Sequence, residues 1–289
     1  MTRESPLAAC SLAARIAARG PLLMGILNVT PDSFSDGGRF DAPSAARAHA
    51  ETMMAEGADI LDVGGESTRP GHAPVSAEDE QTRVLPVLAA ITALASSRDV
   101  PISIDTYKAT TARAALTAGA SIVNDIWGLQ RDPDIASVAA TFGAPVIAMH
   151  NRQAVDPAID IVDDMRRFFE RSIAIARQAG IDDADIVLDP GIGFGKTPEQ
   201  NMQALHGLSK IRSMGYPVLV GASRKSFIGA LIDRPATERL NGTLAAHLFA
   251  VARGADILRV HDVRAHAEAI RVWRALETAE DKIAAHPRS

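Results

Sequence analysis

Eight short apolar runs, each followed by a longer stretch of helical spacing, divide the chain into repeated units. The runs occupy Leu22–Asn28 and residues 59–64, 102–106, 122–126, 145–150, 185–189, 218–222 and 256–260. Most are apolar throughout their interior, the pattern of parallel strands covered on both faces. Amphipathic segments fill residues 44–56, 77–95, 110–118, 159–179, 198–214 and 239–253. Steps such as Glu56-Gly57-Ala58 and Ala118-Gly119-Ala120 put a glycine where a helix must stop through the left-handed conformation. Repetition of this unit predicts a single-domain α/β fold, the (β/α)8 TIM barrel. The competing arrangement is an open doubly wound sheet, which ordinarily carries a G-x-G-x-x-G turn after its first strand. The first run is followed instead by Val29-Thr30-Pro31-Asp32, which favours the barrel.

A chain of 289 residues suffices for one such domain, expected over 21–280, with an N-terminal extension (short helix or tail) at 1–20 and a tail at 281–289. Net charge is −5, so no global field draws in nucleic acid or anionic lipid, and a bound anion must be held locally. Cys10 is the sole cysteine, which rules out an intrachain disulfide and a cysteine metal cluster. No apolar run reaches the roughly 20 residues that span a bilayer. The first 19 residues lack a secretory pattern, so a cytoplasmic protein is expected.

The chemistry is written where the strands stop. The runs end at Asn28, at Asp62-Val63-Gly64-Gly65-Glu66, at Asp105, at Asn124-Asp125, at His150 and at Asp189; the last two lead to Ser223-Arg224-Lys225-Ser226 and to Arg259 and His261. In a barrel these ends share one face, where catalytic groups sit, so all eight are expected to converge on a common cup. The long loops after the first two strands, 28–38 and 66–72, read as lids. Asp189-Pro190-Gly191-Ile192-Gly193-Phe194-Gly195-Lys196 lacks Walker spacing and is no ATP site. Arg224, Lys225, Arg259, Arg69, Asn28 and His261, a switchable donor, together suit an anion such as a diphosphate. His49, His206, His247 and His266 lie on helices and read as structural or surface residues. No protein metal cage is spaced in the sequence, but Mg²⁺ shared between Asn28 and substrate phosphates is compatible with it.

The segments 24–38 and 62–71 resemble the two opening signatures of the dihydropteroate synthase family. Ser103-Ile104-Asp105-Thr106, Asn124-Asp125-Ile126, Asp189-Pro190-Gly191, Ser223-Arg224-Lys225-Ser226 and Arg259-Val260-His261-Asp262 are similar to its remaining blocks, in order. The resemblance implies a transferase that condenses a dihydropterin bearing a CH2 diphosphate with p-aminobenzoate, releasing diphosphate. It implies Mg²⁺ as cofactor, with Asn28 as its ligand, a homodimer formed through the last units, and sulfonamides as inhibitors. It also carries roles onto residues. Asp105, Asn124, Asp189, Lys225, Met149, Phe194, Ile126 and Gly221 match the pterin site. Asn28, Thr68, Arg69, Arg259 and His261 match the diphosphate site, and Ser226, Phe34, Pro70 and Lys225 the p-aminobenzoate site. Asp105, Lys225, Arg69 and Asp36 are the expected catalytic residues. Residues 150–161 match nothing and receive no role.

Three other readings compete. A methyltetrahydrofolate-binding methyltransferase barrel would share the pterin pocket but has no use for Arg69, Arg259 and His261. A silent pterin-binding paralogue would show decayed positions, whereas every matched position is filled. A phosphate-sugar barrel is the most generic alternative.

Overall fold

The structure, a computed structural model, describes residues 12–29, 42–67 and 74–284. Helix α1 (Leu12–Arg19) precedes β1 (Leu22–Asn28). Strands and helices then alternate: α2 (Ala42–Glu56), β2 (Ile60–Gly64), α3 (Ala77–Ser97), β3 (Ile102–Asp105), α4 (Ala109–Thr117), β4 (Ile122–Asp125), α5 (Ile135–Phe142) and β5 (Val146–Met149). The second half continues with α6 (Ile161–Ala179), β6 (Ile186–Asp189), α7 (Pro198–His206), α8 (Leu208–Arg212), β7 (Leu219–Val220), α9 (Ser226–Ile232), α10 (Leu240–Val251), β8 (Ile257–Val260) and α11 (Val263–Ala284). The strands run parallel in the order β6-β5-β4-β3-β2-β1-β8-β7. A parallel bridge between Leu188 and Val218 joins the remaining seam, where Leu188 N–H donates to Pro217 O at 2.9 Å. The barrel predicted from the repeat is therefore the observed fold.

Strand ends are trimmed where side chains replace the ladder. Asp59 accepts from Leu23 N–H at 2.9 Å, and Asp256 from Val218 N–H at 2.8 Å. Beyond β7 the Ala222 N–H turns to His247 Nε2 at 3.0 Å, which leaves that strand two residues long. The single helix expected over 198–214 is two helices. Gly207 separates them at a close approach to α6, where a Cβ would lie 2.6 Å from Val162 Cγ2. Helix α11 continues through residues 281–284, beyond the end expected for the barrel.

Inward-facing side chains change character with height, and this positions the site. Met24, Ile60, Ile122, Ile147, Val187, Leu219 and Ile257 form an apolar plug inside the barrel, closed from below by Leu12 of α1. Two residues further along the same strands, still facing inward, stand Asp62, Asn124, Met149, Asp189, Gly221 and Arg259. The floor is oily and the layer above it is polar. The outward faces, including Leu61, Val63, Ile104, Val123 and Leu188, pack against the helices as the main core.

Candidate active site

Register aligns the polar layer. Asn28 pairs with Gly64, Gly64 with Asp105, and Asp105 with Asn124, so neighbouring strands bring these residues to one height. A narrow cup opens above them, lined by Asp105, Asn124, Ile126, Met149, Asp189, Ile192, Phe194, Gly221, Lys225 and Arg259. Asp62, wholly buried, is its hub. It accepts from Arg259 Nε at 2.6 Å and from Asn124 Nδ2 at 3.2 Å, while Arg259 Nη2 reaches Asp105 at 2.7 Å. One guanidinium thus ties β8 to β2 and β3 and offsets two carboxylates, the arrangement that lets buried charge persist. On the opposite wall Lys225 Nζ lies 4.2 Å from the centre of the Phe194 ring. All eight residues expected to hold the pterin therefore meet around this cup; Ile192 and Arg259 join them.

Burial sets the electrostatics. It pushes the Asp105 carboxyl above the usual carboxylate range, against the pull of Arg259. It pushes Asp189 up to about 6, held back by the Gly191 N–H, at 2.8 Å, and by Lys225. Carboxylates that are costly to charge without a partner suit a site awaiting N–H donors from a ligand.

Not every strand end joins the cup, and the expectation of eight converging ends is corrected in three places. Asp125 turns back on its own loop, accepting from Trp127 N–H at 2.7 Å and Leu129 N–H at 2.8 Å. His150 faces away, packed edge-on against Phe168 and Phe169, with its Nε2 bonded to Asp164. Arg224 turns its fork to Asp262, at 2.6 and 3.1 Å, and does not line the cup. His261 takes Ser223 Oγ at 2.9 Å, and burial together with Arg259 and Arg224 pushes its imidazole down to about 3. It is neutral at physiological pH, a fixed hydrogen-bonding group rather than the switch expected. Ser226 is exposed at the start of α9, the first residue after Lys225.

Thr68, Arg69, Pro70, Phe34 and Asp36 lie outside the described residues. The base of the second loop is described: Glu66 is bonded to Lys108, which also reaches Glu80 at 3.0 Å, and Arg83 holds Gly65 O at 2.8 Å. This anchor leaves no signal in the sequence, because Glu80 and Lys108 are helix-start residues far apart in the chain. The histidines read as structural or surface are so: His49 and His206 are exposed, while His247 and His266 form a buried pair at 2.9 Å.

A closed parallel barrel whose strand ends hold a slot, polar at the edge and apolar on its faces, defines a barrel enzyme class that grips a flat heterocycle rich in donors and acceptors. Comparison with known proteins narrows this. Residues 24–261 match the sequence profile of the pterin binding enzyme family. The chain is 48% identical over 251 residues to the dihydropteroate synthase of Clostridium beijerinckii, covering 86% of this chain and 92% of that one. A dihydropteroate synthase from Clostridium difficile, solved in the presence of pteroic acid, superposes with a TM-score of 0.85 at 46% identity, covering 89% of this chain and 96% of the other. The enzyme of Xanthomonas albilineans in complex with 7,8-dihydropteroate does so with a TM-score of 0.81 at 43% identity, covering 89% and 94%. The chain belongs to the pterin binding enzyme family and is a homologue of the dihydropteroate synthases.

Proposed function

We propose that the protein is a dihydropteroate synthase, joining 6-hydroxymethyl-7,8-dihydropterin diphosphate to p-aminobenzoate with release of diphosphate. The observation that carries this reading is the cup itself. Carboxylates, an amide and an ammonium stand at its edges, with Ile126, Met149, Ile192 and Phe194 among them. Asp189 takes N–H groups from the pterin edge, Lys225 donates to its carbonyl side, and Asn124, its amide held by Asp62, completes the pattern. Arg259 and His261 face the diphosphate, with Asn28, Thr68 and Arg69. Ser226, Phe34 and Pro70 belong to the p-aminobenzoate side.

The reaction is dissociative. The bond from CH2 to the diphosphate oxygen breaks first, its electron pair leaving with diphosphate. The positive charge left on CH2 spreads into the pterin ring, where Asp105 stabilises it. The arylamine nitrogen then forms the new C–N bond and loses its proton. Asp36 and Phe34 shape the arylamine pocket, which must exclude water able to trap the cation. Asp105→Asn is expected to lower turnover far more than pterin affinity, and equal losses in both would refute this role.

The donors at the rim suit Mg²⁺. Asn28 Oδ1 and Asp105 Oδ2 both flank Gly64, 3.7 and 3.6 Å from where a Cβ would stand, and among the described residues no three His, Cys, Asp or Glu gather into a cage. Hard oxygen donors, few from protein, are what this ion prefers when it shares phosphates. Bound through Asn28, it would neutralise charge on the leaving diphosphate. Met202, Leu231, Ile232 and Phe249 are exposed apolar residues lining one groove across α7, α9 and α10. A second copy of the chain is the occupant proposed there, giving a homodimer. Among the described residues no helix is long and apolar enough to cross a membrane, in keeping with a cytoplasmic enzyme. The decisive assay supplies pterin diphosphate, labelled p-aminobenzoate and Mg²⁺. Pteroate and diphosphate formed one for one support the proposal, and pterin binding without release refutes it.

A further inference from the structure

Behind the cup, on the side away from substrate, runs a hydrogen-bonded chain that the proposed reaction does not use. Lys196 ends the glycine-rich loop after β6 and is buried. Its Nζ donates to Gly191 O at 2.9 Å and Phe194 O at 3.1 Å, and meets His150 Nδ1 at 2.8 Å. His150 is buried completely and its Nε2 faces Asp164 Oδ2 at 3.1 Å, which Arg152 also holds at 2.7 Å. The tautomer follows from the partners: a carboxylate at Nε2 calls for N–H there and leaves Nδ1 as the acceptor for the lysine.

The two carbonyls bracket Ile192 and lead into Phe194, both of which line the cup. A lysine is an expensive residue to bury, and its three N–H groups match three acceptors with none to spare. Burial pushes its ammonium down to about 7, so at or below neutral pH all three donors are present for a large part of the time. Asp189 belongs to the same construction, since it accepts from the N–H of Gly191, whose carbonyl Lys196 holds. The loop is thus pinned from the cup side by Asp189 and from behind by Lys196.

We propose that Lys196 is a positioning residue for pterin recognition, holding Ile192, Phe194 and Asp189 in register through the Gly191 and Phe194 carbonyls, with His150 and Asp164 as its backing. This rests on the proposed function, since it names what the loop is positioned for. Lys196 touches no substrate. Its loss lowers affinity for the heterocycle without touching the arylamine side or the chemical step.

The test is a titration of the full-length protein with 6-hydroxymethylpterin, followed by steady-state kinetics. Lys196→Met keeps the length of the side chain and removes the donors; it is expected to bind the pterin about tenfold more weakly. KM for the pterin diphosphate rises in parallel, while kcat and KM for p-aminobenzoate stay within about twofold of wild type. Asp164→Asn, altered at the half-buried outer end of the chain, gives a smaller loss in the same direction, and Arg113→Met, on the exposed face of α4, gives none. Wild-type pterin affinity in Lys196→Met overturns the inference, as does a fall in kcat with both KM values unchanged, the mark of a merely destabilised fold. Should Lys196→Met fail to fold, Asp164→Asn decides, and unaltered pterin affinity there overturns it equally. Failure of the wild-type protein to bind the pterin at all would instead strike the proposed function.

Discussion

Gly191→Ala is the substitution whose cost follows most directly from geometry. Gly191 has φ +64°, and a Cβ placed on it would lie 1.9 Å from His150 O, a backbone atom of the neighbouring strand end. Real Cβ atoms do not approach within 3.0 Å, so loop and strand end must part by about 1.1 Å. Neither side yields cheaply. Lys196 pins the loop through Gly191 O and Phe194 O, while His150 N–H is bonded to Asp189 O at 2.8 Å. The left-handed conformation alone costs an alanine about 1 kcal/mol. With the strained contact and weakened tethers added, destabilisation of about 3 kcal/mol is expected, a fall in Tm on the order of 5–10 °C for a domain of this size. Function loses more. Displacing Ile192, Phe194 and the Asp189 carboxylate by about 1 Å is expected to weaken pterin affinity on the order of a hundredfold. Titration with the pterin and a thermal melt measure the two effects separately. A variant that melts as wild type and binds pterin within about threefold would refute the claim that this loop is held by close approach.

Three further outcomes follow from the same site. Asp62→Asn removes the charge that orients Arg259 and Asn124. Arg259 keeps Asp105 as a partner, so the loss should sit near the lower end of that for a broken buried pair, about 3 kcal/mol, read by denaturant melts, with pterin affinity falling alongside. Because Asp189 must be ionised to accept N–H groups and burial raises it to about 6, pterin affinity should fall about tenfold per pH unit below that value. Asp189→Asn should abolish that dependence, and a pH-independent wild-type profile would count against the assignment. Chelation of divalent cations should suppress turnover while leaving binding of the diphosphate-free pterin unchanged, and Mg²⁺ should restore it.

The fold could be read from the sequence because its signal repeats. Parallel strands buried on both faces are nearly continuous apolar runs, and a glycine stop before a strand recurs at Gly57, Gly119, Gly143 and Gly254, each with positive φ. The elements read least sharply are those where the signal is weak: α5 is eight residues rich in alanine, and β7, expected over 218–222, keeps two ladder residues because His247 captures the next N–H. The pterin cup was readable for a related reason. Asp105, Asn124, Asp189 and Arg259 sit on the inward phase of their strands, which alternation locates without knowledge of any contact, whereas Ile126, Met149, Phe194 and Gly221 were legible only through the family resemblance.

What alternation cannot supply is the direction of the residue just past a strand end, where the pleat no longer governs the backbone. His150 fills such a position and turns outward to Asp164 and Lys196, while Asp125, the last residue of β4, points outward by alternation beside Asn124 and takes two N–H groups of the Trp127–Leu129 turn. Arg224 shows the same competition on the scale of a backbone. It adopts φ +58°, unusual for a non-glycine residue, and stays there because Thr243 Oγ1 takes its N–H, Arg239 its carbonyl and Asp262 its guanidinium. That turn carries Ser223 toward His261 and sets Lys225 on the cup wall. A conformation costing of order 1–3 kcal/mol persists only when over-determined in this way. Releasing one tether with Thr243→Val should therefore cost more in pterin affinity, through a displaced Lys225, than the lost bond would suggest.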